Sequence, residues 1–174
     1  MIKEERLAGI RQRIDDLEAR ARTGTAEQQA RLQRTFEALQ EDEQAARAAV
    51  DQRADAAEEK LVDLETRVEI AAKRVAAELS DDAASYADAV EAELDVWDDA
   101  IERFQARAAV KAQEARGRAE ADVAELRRAR NRAAERLAEA RSSTGEALAE
   151  RKQRVSEALD ELDQKARDTT AKDK

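Results

Sequence analysis

Apolar residues return at steps of three and four along almost the whole of this 174-residue chain, and no proline interrupts them. That spacing places the apolar side chains on one narrow stripe of an α-helix. The first stripe is Leu7, Ile10, Ile14, Leu17 and Ala21. A second runs through Leu32, Phe36, Leu39, Ala46, Val50, Ala54, Ala57, Leu61, Leu64, Val68, Ala71 and Val75. A third runs through Tyr86, Val90, Leu94, Trp97, Ile101 and Phe104 and continues mostly in alanine to Ala140. A stripe two positions wide in every seven is a coiled-coil seam rather than the broad face of a globular core. The expected fold is therefore all-α: a long antiparallel coiled-coil hairpin or an elongated up-down helical bundle. Charged residues make up 42% of the chain and aromatics 2%, which also describes disordered chains; the sustained helical period decides for helix.

With only four glycines, turns must be read from caps. Gly24 followed by Thr25 and Gln28 reads as a helix end and a capping box, so a first helix over 2–22 is followed by a second over 26–79. The second contains a stutter at Ala46, Val50 and Ala54, which locally unwinds a supercoil, and a polar seam position at Glu43. Ser80, followed by Asp81 and Asp82, can cap a further helix, although no glycine or proline forces a break there. A third helix is expected over 82–141, with Gly117 as a flexible point or close contact. Ser143 and Glu146 read as a second capping box beside Gly145, opening a fourth helix over 146–167. The expected organisation is coiled-coil helices over 1–79, a helical hairpin over 80–168 and a frayed tail over 169–174. Residues 33–41 (QRTFEALQE) and 153–161 (QRVSEALDE) are alike, a likeness too short to build on.

Charge is distributed in blocks. Residues 78–102 carry ten acids and no base, whereas 103–141 carry eleven Lys or Arg against six acids. Such blocks favour antiparallel or staggered pairing, in which the acidic stretch meets the basic one.

The segments YADAVEAELDVWDDAIERF and AELRRARNRAAERLAEARSSTGEALAERKQRVSEALDEL resemble a family of small bacterial coiled-coil proteins named after a cyanobacterial stress-resistance protein. The matching features are Tyr86 with the Trp97–Asp98 pair, then Glu125, Leu126 and Arg127, then the Ser-Gly turn and short helix from Ser143 to Leu162. The family's final helix usually carries tryptophans; this one has none, and residues 1–79 lie outside the pattern. The resemblance implies a helical hairpin and a link to stress physiology, and carries over no catalytic or ligand-binding residue.

Enzyme chemistry finds little footing. Cysteine and histidine are both absent, which removes thiolate chemistry, the commonest general base and the commonest metal ligand. A di-metal bundle site needs inward Glu-x-x-His pairs. The clusters Glu41–Glu43 and Asp98–Asp99 lack the alternating ligand spacing of a calcium loop. A carboxylate pair for glycoside hydrolysis needs a cleft that alanine seams do not form. No phosphate-binding glycine loop or nucleophile elbow occurs. The expectation is no catalytic, cofactor-binding or metal-binding residue and no cofactor. The residues that matter are seam residues: Tyr86, Val90, Leu94, Trp97, Ile101 and Phe104 on the third stripe, and Leu64, Val68 and Val75 on the second.

The function this supports is a cytoplasmic, non-enzymatic structural or scaffold protein, partnered by itself as a homo-oligomer or by another coiled-coil protein. The N-terminus MIKEERLAG lacks the apolar core of a signal peptide, which underlies the cytoplasmic expectation. Two alternatives stand beside it. Apolipoprotein-like binding of a membrane surface needs a wider apolar face. Polyanion binding through 103–141 would use Arg127, Arg128, Arg130, Arg132 and Arg136, which spread around a helix with no aromatic interleaved for stacking, so no nucleic-acid partner is expected.

Overall fold

The computed structural model describes residues 2–172, and among these every regular element is an α-helix. The helices are α1 (Ile2–Ala21), α2 (Ala26–Asp51), α3 (Ala57–Glu78), α4 (Ala83–Ala109), α5 (Gln113–Arg141) and α6 (Gly145–Lys172). The fold is an all-α helical bundle, and the chain divides into two compact units, Met1–Ser80 and Asp81–Lys174. Each described unit is three helices joined by short turns.

The two long helices expected from the seam do not run unbroken. The stretch 26–79 breaks between Asp51 and Ala57, and 82–141 breaks between Ala109 and Gln113. The hairpin expected over 80–168 is thus a three-helix unit. Folding each stretch back lets its two halves bury their stripes on each other within the chain, whereas a straight rod would leave both open.

In the first unit, α1 and α3 run parallel: Arg6 near the start of α1 pairs with Glu58 and Glu65 near the start of α3. Helix α2 runs antiparallel to α3, since Arg31 and Thr35 meet Glu78 and Arg74. The core lies on the seam residues Ile10, Ile14, Leu39, Leu61, Leu64 and Val68, with Phe36 half-buried at its edge. Val75 packs with Ala21 and Leu32 at the other end.

The turns show how the ends are made. Thr25 caps α2 with both halves of the capping box in place: its hydroxyl accepts from the Gln28 amide, and the Gln28 side chain accepts from the Thr25 amide. Gly24 leaves room for its neighbours: a Cβ there would sit 2.7 Å from a Leu79 methyl and 2.9 Å from the Gln28 side-chain oxygen, so a larger residue would displace both side chains. Helix α2 ends in a Schellman motif, with the Ala54 amide donating to the Ala49 carbonyl (2.9 Å) and the Arg53 amide to the Val50 carbonyl (3.0 Å). Arg53 takes the left-handed conformation there (φ 50°), a place glycine usually fills. The stutter at Ala46, Val50 and Ala54 lies where the helix stops.

Two expected caps are corrected. Ser80 donates to the Ala76 carbonyl of the preceding helix, and Asp82 is the residue that caps α4, its carboxylate accepting from the Ser85 amide at 2.9 Å. Ser143 likewise donates back to the Glu139 carbonyl instead of opening a capping box. Gly145 sits at φ +58°, and this backbone conformation is what the turn demands of it. Gly117 is not a close contact, since a Cβ there would meet nothing within 4 Å. The expected fraying from 169 onward is also corrected: α6 continues to Lys172, Thr169 is buried, and Lys172 pairs with Asp122 at 2.8 Å. Residues 173 and 174 lie outside the described residues.

Candidate functional site

The sequence concentrates its aromatic residues on α4, and the structure turns all of them inward. Tyr86, Val90, Leu94, Trp97, Ile101 and Phe104 are buried in the second unit; Leu64, Val68 and Val75 are buried in the first. The seam named from periodicity thus lies inside each unit, leaving none of these nine side chains open to another molecule.

Helix α4 faces α5 and α6. The antiparallel pairing with α5 puts Val123, Leu126, Ala129, Ala133 and Leu137 on its buried face. On the α6 side, the Tyr86 hydroxyl donates to the Lys152 carbonyl at 3.4 Å, and the Lys152 ammonium lies 4.8 Å from the Tyr86 ring centre. At the other end the Arg107 guanidinium lies 4.9 Å from the Phe104 ring. Each aromatic ring at an end of the stripe thus has a cation over it, which adds to the area it buries.

One residue here went unread in the sequence. Glu93 is 0% exposed, and its carboxylate accepts from the Trp97 indole at 3.4 Å. In the sequence it looks like one of ten acids on a solvated face. Its signal is its spacing: it lies four residues before Trp97 and three after Val90, on the buried stripe. Arg74 and Glu78 in the first unit were missed in the same way. Glu78 is 3% exposed and holds Arg31 at 2.7 Å. Burial works to lower the Arg31 pKa, but hydrogen bonds and charge from Glu78, and then Glu27, outweigh it and raise it.

The charge blocks meet as the sequence suggested. Arg130 grips Asp98 through two hydrogen bonds of 2.8 and 2.6 Å, and Arg141 pairs with Glu91. Between α5 and α6, Arg132 meets Glu161 at 2.6 Å and Lys165 meets Glu125 at 3.3 Å. The five arginines considered for polyanion binding are all engaged: Arg127 with Gln105, Arg128 with Glu125, Arg130 with Asp98, Arg132 with Glu161 and Arg136 with Glu139. The hydrogen bond from Arg128, and then that from Lys165, hold Glu125 below the usual carboxylate range. In the first unit the hydrogen bond from Arg6 does the same for Glu65. The Ser85 backbone amide does so for Asp82.

Surface grooves run between helices within each unit. One of about 440 Å³ lies between α1 and α2, lined by Ala21, Ala26, Leu32 and Phe36. Another, about 400 Å³, lies between α4 and α5, lined by Gln105, Ala108, Val123 and Arg127. Neither lining brings a nucleophile together with a base. Among the described residues no three acidic side chains converge as a metal site would require. No described helix is long and apolar enough to cross a membrane. No family model, characterised protein or solved structure matches this chain.

Proposed function

We propose that this chain is a non-catalytic helical scaffold that acts through helix–helix association with a second copy of itself or with another helical protein. The observation that carries the reading is the use made of charge. Members of the acidic and basic blocks, which could have formed a ligand surface, pair with each other across α4 and α5 (Asp98–Arg130, Glu91–Arg141), and Arg132 and Glu125 pair with α6. The aromatic residues, which could have lined a pocket, fill the seam. Side chains used this way set which helices pair and in which direction. The same proposal carries a cytoplasmic setting and a link to stress physiology, the latter supported by the resemblance of residues 86–162 alone.

Sedimentation equilibrium on the full chain tests it. The expected result is a helical species whose mass rises with concentration to a discrete oligomer. Helical content that appears only on anionic phospholipid vesicles would replace this reading with a lipid-surface one. A salt-dependent mobility shift with mixed-sequence DNA at physiological ionic strength would replace it with polyanion binding.

A further inference from the structure

The turn between α4 and α5 is made of residues that prefer to be helical. The sequence from Arg107 to Arg116 reads RAAVKAQEAR, with no Gly, Pro, Asn, Asp, Ser or Thr to end or start a helix. Ala112, the residue at the start of α5, offers no side-chain cap. Val110, at the end of α4, is at φ −91°, ψ −2°, at the edge of the right-handed region, and Ala112 has a helical φ of −59° with its ψ of 155° extended. Rotation about that one ψ of Ala112 carries it into the helical region. A helix running through would also satisfy the backbone groups that the two helix ends leave unpartnered.

The apolar stripe does not stop at the turn either. Phe104, Ala108, Ala112, Ala115, Ala119 and Val123 stay within about 100° of one another on a continuous helix of 3.6 residues per turn. In the folded chain that stripe is covered at both ends and open in the middle: Ala108 and Val123 are buried, whereas Ala112 and Ala115 are exposed. The α4–α5 pairs Asp98–Arg130, Glu91–Arg141 and Gln105–Arg127 are centred on residues 114 to 116. Two continuous helices laid antiparallel with a two-fold axis near residue 115 would remake each of these pairs between copies. They would also bring the open alanines of one copy against those of the other.

We propose that the Val110–Ala112 turn is a hinge through which two copies of this chain exchange their α5–α6 arms, with α4 and α5 fusing into one helix over 83–141. This rests on the self-association reading above and specifies how it happens. Exchange reuses contacts already in the monomer, so it needs no free apolar face, and short hinges that favour the open form are what invite it.

The native chain has no cysteine, so a Glu91→Cys/Arg141→Cys variant takes a donor and an acceptor dye at those two sites alone. The labelled chain is refolded with an excess of unlabelled chain and followed across a concentration series, with sedimentation velocity reporting mass. In the closed chain the two sites are neighbours; in the exchanged dimer they lie about 75 Å apart on one helix at 1.5 Å per residue. Energy transfer should therefore be high in the monomer and fall to near zero as the dimer forms. The companion variant is Gln113→Pro, made on the unlabelled chain. Proline is favoured at the first position of α5, and Ala112 already has the extended conformation that precedes proline, so the closed unit accepts it. Inside a continuous helix it is a breaker, and the dimer association constant should drop by about 100-fold or more. A dimer that keeps high transfer, or one indifferent to Gln113→Pro, overturns the exchange and leaves self-association standing. A monomer at every concentration overturns both. The dye measurement has a native hinge, so it decides the question even where the proline variant folds poorly.

Discussion

Two breaks interrupt helices that the seam alone would have run straight through, and they are built differently. The one after Asp51 is a Schellman motif, closed by two backbone hydrogen bonds, with Arg53 in the left-handed region and Ala57 fully buried just beyond it. The one after Ala109 has no left-handed residue, and Val110 points into solvent; the helices that follow the two breaks both lack a side-chain cap. The first turn is fixed by its own bonding and by the core beneath it. The second carries lighter bonding of its own, from the Lys111 amide to the Ala108 carbonyl (3.2 Å) and from Arg116 to the Lys111 carbonyl (3.3 Å), and is braced from a distance by the aromatic seam and ion pairs of α4, α5 and α6. Two turns of similar length in one chain can thus owe their shape to local and to remote causes.

The largest expected effect tests the remote cause. Trp97→Ala removes the biggest fully buried side chain of the second unit, which is 1% exposed, and should cost about 3–5 kcal/mol. Urea unfolding followed by circular dichroism should show the second unit melting early while a transition from the first unit stays in place. Next comes Glu78→Ala, which removes Arg31's buried partner and leaves it only the exposed Glu27, and should destabilise the first unit by about 1–2 kcal/mol in the same measurement. Arg53→Gly then separates the turns directly. It relieves a left-handed side-chain residue and should raise stability by about 1 kcal/mol, whereas Lys111→Gly at the other turn should give no gain. Gly117→Ala places a methyl in open space on α5 and should add just under about 1 kcal/mol, read as a rise in midpoint.

The smallest effect is in pH. Glu65 is held below its ordinary value of 4.5 by Arg6, so its pairing contributes fully above that value and is lost as pH falls through the lowered folded pKa. The pair is partly exposed, which keeps the contribution at or below about 1 kcal/mol. A Glu65→Gln variant should therefore show a shallower loss of stability below pH 4.5 than the native chain, by acid titration at fixed ionic strength.

What could be read from sequence tracks where the cause is local. Thr25 with Gln28 is a bonding pattern three residues long, and it was legible down to the atom. The stripe from Tyr86 to Phe104 was legible because burial on a helix follows its period. Ser143 was misread because a serine hydroxyl can serve the helix behind it as well as the one ahead. The breaks at Asp51 and Ala109 were not legible as turns, since nothing in QRADA or VKA ends a helix by itself; they arise because folding back buries two stripes at once. Glu93 was hidden by its neighbours, as an acid among acids on the wrong side of a helix.

Gln28 carries a further consequence. Its side-chain oxygen accepts from the Thr25 amide while its side-chain nitrogen donates to the Glu78 carbonyl at 2.6 Å, fifty residues away. One amide group thus finishes the start of α2 and the end of α3 together. Neither end can fray without releasing the other, so amide protons in the first turn of α2 and the last turn of α3 should exchange with solvent at a common rate. The exit of the chain toward Asp81 is thereby tied to its first turn, and the first unit closes as a loop rather than a row of helices.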